Sequence, residues 1–113
     1  MIDMEQFSKS MELNHNGMQL LLLDYINHFK QPSSYINQLY KHENYFELMT
    51  YSKKLKMTLA LFSDADTPIK LARLEHLARH EFYPPEELIR DIQLDLAVVE
   101  HQIRSLCTEL ASD

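Results

Sequence analysis

The chain has 113 residues and a net charge of −6, with 45% apolar and 25% charged residues. That length predicts one domain over residues 1–113, able to bury roughly two-thirds of its unfolded surface, and the apolar content argues against disorder. One glycine and four prolines disfavour a many-stranded fold, the acidic balance disfavours nucleic acid as a partner, and a lone cysteine excludes an intrachain disulfide.

Residues 2–13 place Ile2, Met4, Phe7, Met11 and Leu13 in a rough helical stripe. Asn14 to Gly17 then predicts a break, with Gly17 left-handed and Asn14 or Asn16 as a cap. A second helix is expected from Met18 through Tyr25, Ile26 and Phe29. Its run Leu20-Leu21-Leu22-Leu23 is apolar all round, which predicts heavy cover. The apolar run is too short to span a bilayer and no basic-then-apolar leader opens the chain, so the expectation is a cytoplasmic protein without a membrane partner.

Pro32 predicts a kink or break after Gln31, with Ser33 or Ser34 capping a continuation through Tyr35, Ile36, Leu39 and Tyr40. Asn44 is the expected N-cap of the next helix. Thr67 followed by Pro68 predicts a further helix start, with Thr67 as the cap. In that helix Leu71, Leu74, Leu77 and Ala78 form the inner face, and Arg73, His76 and His80 lie opposite. Tyr83-Pro84-Pro85 stops it. The last helix is expected to bury Leu88, Ile92, Leu96, Val99, Ile103, Leu106 and Leu110, with Cys107 a small core residue among them. The whole reads as all-α: an up-down four-helix bundle with an additional short N-terminal helix.

The central helix, residues 45–62, organises the rest. Leu48, Tyr51, Leu55, Leu59 and Phe62 recur at spacings of three and four, the inner stripe of a helix. Phe46, Met49, Met57 and Ala60 extend the apolar surface around one flank, and Lys53 and Lys56 emerge among them. Two lysines snorkelling from the edge of a core helix is the plain reading of that pattern.

Other chemistry is thin. His76 and His80 have the i, i+4 spacing of a shared metal, but no further ligand pair accompanies them, so no metal and no cofactor are expected. Arg73 and His80 match the loose arginine–six residues–histidine spacing of a family of helical ribonucleases, on an acidic chain poorly suited to RNA. No serine or cysteine nucleophile sits in a motif and no glycine-rich loop is present to cradle phosphate, so catalysis is not expected.

Read end to end, the sequence resembles a histidine phosphotransfer domain, the helical bundle that relays phosphoryl groups between receiver domains. Ile2-Asp3, the leucine-rich second helix ending at Phe29, and Leu39 fall where that family has them. The signature His-x-Leu-Lys-Gly aligns with Lys53-Lys54-Leu55-Lys56-Met57, where Leu55 and Lys56 match. Leu71, Leu74 and Glu75 fit the following helix, and Leu88 onward fits the last. Two departures are central: Lys53 stands where the resemblance places the phosphoacceptor histidine, and Met57 replaces the signature glycine. The resemblance therefore implies a pseudo-phosphotransfer module, monomeric or weakly dimeric. Its partner would be a receiver domain or sensor kinase, docked on Phe46, Met49, Lys53, Lys56, Met57 and Ala60. A helical adaptor unrelated to phosphorelay is the competing class. A working phosphotransfer protein using another histidine, such as His42 or His76, is the third.

Overall fold

The structure, a computed structural model, describes residues 1–112 apart from 3, 14 and 62, with the backbone alone at Ser8, Ser10, Met11 and residues 107–112. Expectations for Asp3, Asn14 and Phe62, and for the side chains of Met11, Cys107 and Leu110, lie outside the described residues. Six helices account for most of the described residues: α1 (Met4–Leu13), α2 (His15–His28), α3 (Pro32–Lys41), α4 (Tyr45–Leu59), α5 (Asp66–Arg79) and α6 (Glu86–Ser112). The 27 residues of α6 make a rod of about 40 Å at the usual helical rise, and this sets the long dimension of a body 46 × 21 × 20 Å. Among the described residues no helix is long and apolar enough to cross a membrane.

The core follows the apolar periods. Leu48, Leu55 and Leu59 of α4 meet Leu71, Leu74 and Ala78 of α5, while Leu88, Ile89, Ile92, Leu96, Val99 and Ile103 form the buried stripe of α6. Helix α4 packs chiefly on α5; α3 packs on α6 and α4; α5 packs on α6. Helix α2 lies on α6, and α1 lies on α2. Polar ties hold the order. Lys70 Nζ lies 2.8 Å from Asp95, whose carboxylate raises the lysine pKa; Gln93 reaches the Ser33 carbonyl; and the Ile2 amide donates to Gln102.

Five local expectations need correction. Neither Ser33 nor Ser34 caps α3, which begins at Pro32 with Gln31 in the cap position, and Asn16 lies inside α2. Gly17 takes no positive φ; α2 already begins at His15, so the glycine sits in its first turn, where a small helix penalty is tolerated. Thr67 is not the cap of α5. That helix begins at Asp66, Asp64 Oδ1 accepts the Thr67 amide at 3.3 Å, and the Thr67 hydroxyl is buried, 2.9 Å from the Met1 ammonium. Nor is α2 heavily covered: Leu22 and Tyr25 are buried, but Leu20 is 64% exposed and Leu23 and Ile26 are open beside it. Asn44 does cap α4, accepting the Glu47 amide at 3.3 Å.

The break at Pro32 is sharp. Gln31 takes φ 47°, and an aromatic cluster locks the corner: Tyr25 on Phe29 at 5.3 Å, Phe29 edge-on to Tyr51 at 5.7 Å, and Tyr35 edge-on to Tyr51 at 4.7 Å. Burial pushes the Tyr25 and Tyr51 hydroxyls well above the ordinary phenol value. Tyr40, stacked on Tyr83 and raised chiefly by that neighbouring phenol, is pushed up to about 12. Each of these groups holds its proton more tightly folded than unfolded. Stability should therefore be insensitive to these phenols below pH 10, their unfolded value, and fall as pH rises through about 12. An alkaline titration followed by circular dichroism checks this; loss of helix well below pH 10 would contradict it.

Helices α3 and α5 end alike. After α3, Glu43 (φ 53°) donates to the Tyr40 carbonyl at 3.2 Å and Asn44 to Leu39 at 3.0 Å. After α5, Glu81 (φ 58°) donates to Ala78 at 3.0 Å and Phe82 to Leu77 at 2.9 Å. Both are Schellman closures with glutamate in the left-handed position that glycine usually fills. Left-handed backbone costs a residue with a Cβ about 1–2 kcal/mol, and glycine's extra unfolded freedom returns about half of that. Glu43→Gly or Glu81→Gly should thus raise unfolding stability by roughly 0.5–1 kcal/mol in urea titrations.

Candidate functional site

Helix α4 turns Leu48, Ser52, Leu55 and Leu59 inward, which leaves the opposite flank to solvent. Phe46 is 71% and Met57 60% exposed; Lys53 stands between them in sequence, also exposed, and Ala60 follows as the exposed C-cap. The remaining two expected contact residues are less free. Met49 is half-buried against the core. Lys56 is half-buried, its Nζ 3.0 Å from Glu75 on α5, and Arg79 holds the other oxygen of that carboxylate at 3.2 Å. Glu75 is only 7% exposed, so the pair neutralises a charge that is costly to bury alone. Lys56 is therefore part of the α4–α5 join, and the open surface centres on Phe46, Lys53, Met57 and Ala60.

From Met57 that surface continues into a groove of about 580 Å³ between α2 and α4, which periodicity within α4 alone does not reveal. Leu21 and Phe29 of one wall face Tyr51, Met57 and Leu61 of the other; Asp24 and His28 rim α2, and Lys54 and Thr58 rim α4. Helix α2 packs on α6, and Phe29 just after it meets Tyr51 of α4 edge-on, which leaves the groove open beside that corner. Its one sequence-level trace is the over-apolar run Leu20–Leu23, read above as buried.

Charge is partitioned in the same direction. Residues 45–79 hold six of the eleven Lys and Arg and four of the seventeen Asp and Glu, a net of +2, so the remainder carries −8. Lys53, Lys54, Arg73 and Arg79 are all exposed on the α4–α5 pair. Its surroundings favour an acidic partner and make any contact salt-sensitive. Arg73, His76 and His80 do face outward, as expected; the two imidazoles meet edge-to-face at 4.7 Å. Among the described residues no group of three or more His, Cys, Asp and Glu is placed to hold a metal.

The site so defined is a cationic, partly apolar helix face on an otherwise acidic all-helical protein. Compared with known proteins, the chain matches no family model, no curated protein and no solved structure.

Proposed function

We propose that this protein is a pseudo-phosphotransfer module: an up-down helical bundle of the phosphotransfer type that docks a receiver domain or sensor kinase and modulates the relay without carrying phosphate. The observation that carries the reading is Lys53, an exposed cation between the exposed apolar side chains Phe46 and Met57, at the position where the resemblance puts the phosphoacceptor. A lysine ammonium is a three-way donor with no lone pair, so it suits an acidic pocket and not nucleophilic attack on phosphorus. The packing of α3, α4, α5 and α6 around one core supports such a bundle, with both α1 and α2 preceding it, one helix more than the resemblance implies. The bound receiver's own carboxylates supply the complementary charge. Binding to receivers of the native relay should weaken with added salt and with Lys53→Glu; indifference to both in a calorimetric titration would remove the proposal.

One observation favours the adaptor reading instead. Leu20, Leu23 and Ile26 leave an apolar stripe on α2, away from Lys53. Single solvent-facing leucines are ordinary, but a row of this kind suits a second copy. A tight dimer in sedimentation that Leu23→Asp dissolves, together with no response to any receiver, would favour that class.

A further inference from the structure

The end of the molecule where the α3–α4 turn meets the α5–α6 loop has a composition opposite to that of the α4–α5 face. Tyr40 and Tyr83 stack there with ring centroids 4.6 Å apart at 20°. Tyr83 is 54% exposed, Phe82 beside it is 61% exposed, and Tyr45 lies close enough to feel the charges of Glu43 and Glu81. Around these rings stand Glu43, Glu81 and Glu86, all exposed. Of the nearby cations, Arg90 lies 3.6 Å from Glu86 and Arg79 is turned to Glu75, while His80 is the titratable group against Phe82. Glu43 and Glu81 both occupy left-handed positions where glycine costs less, so the backbone presents two carboxylates at a local expense in stability. Aromatic faces flanked by carboxylates attract guanidinium and ammonium groups, through the ring quadrupole and through direct ion pairing.

We propose that this end is a second docking surface, for a basic arginine- or lysine-rich segment of a partner protein. The charge argues for that occupant: the chain outside residues 45–79 carries −8, and a cationic segment gains from both the field and the rings. Tyr45 adjoins Phe46 of the Lys53 face in sequence, but this surface does not depend on the relay reading.

A fluorescein-labelled hexa-arginine peptide, titrated by anisotropy into the whole protein, tests it. Affinity should fall about tenfold in Glu43→Gln/Glu81→Gln, and by a similar factor in Tyr83→Leu, which keeps an apolar side chain and removes the phenol ring. The double variant Glu5→Gln/Glu12→Gln loses the same charge on α1 and should change affinity by less than about twofold. Circular dichroism verifies that each variant is folded. Equal losses in all the charge variants, no effect of Tyr83→Leu, or no binding at all would overturn the proposal.

Discussion

Leu96→Ala should lower unfolding stability by roughly 2–5 kcal/mol, with Val99→Ala costing about 1–3 kcal/mol by the same mechanism. Both side chains are fully buried on α6, the helix that α2, α3 and α5 all contact. Truncation there removes apolar area from the packed core and leaves a cavity that close-packed neighbours fill only in part. A marginal domain of this size has only about 5–15 kcal/mol in hand, so Leu96→Ala alone shifts the urea midpoint far to the left. His76→Ala provides the contrast: its exposed imidazole touches only His80 among the contacts described, and the change should be under about 0.5 kcal/mol. A larger loss at His76 than at Leu96 would mean that α5 faces the other way.

The second large effect concerns binding. Met57→Asp should reduce affinity for the partner of the α4 face by more than about thirtyfold while leaving helix content unchanged. Met57 belongs both to the Lys53 surface and to the groove wall, and its 60% exposure means the variant pays nothing in the core. On docking, a carboxylate there would be desolvated without a partner, and against an acidic receiver pocket it would meet like charge. Met49→Asp is the less clean variant, because Met49 is half-buried against the core and its change mixes binding with folding.

The elements read best from sequence were those with a sustained period. Among the described residues, helices α4, α5 and α6 bury most of the expected leucines, with Leu77 and Leu106 half-buried, because one face of each meets several neighbours, and period is a property of one helix. Burial of α2 was misjudged for the converse reason: four consecutive leucines say nothing about how many helices are available to cover them. That number depends on the corner at Gln31 and Pro32, which lets α3 take the place against α4. The Lys56–Glu75 pair spans 19 residues and two helices, so no local pattern distinguishes Lys56, tied, from Lys53, free to meet a partner. Arg79, by contrast, holds Glu75 within α5 at the i, i+4 spacing, which the sequence itself offers. Glycine-free Schellman closures at Glu43 and Glu81 also escaped notice, since glutamate is a poor signal for a left-handed turn.

Phosphoryl transfer in the native relay tests the central claim most directly. A receiver carrying radiolabelled phosphate, incubated with this protein, should bind it and leave it unlabelled, whereas the double variant Lys53→His with Met57→Gly should gain measurable acid-labile label. Acid-labile label on the unaltered chain would contradict the account, because some histidine, and not the Lys53 position, would then be carrying phosphate.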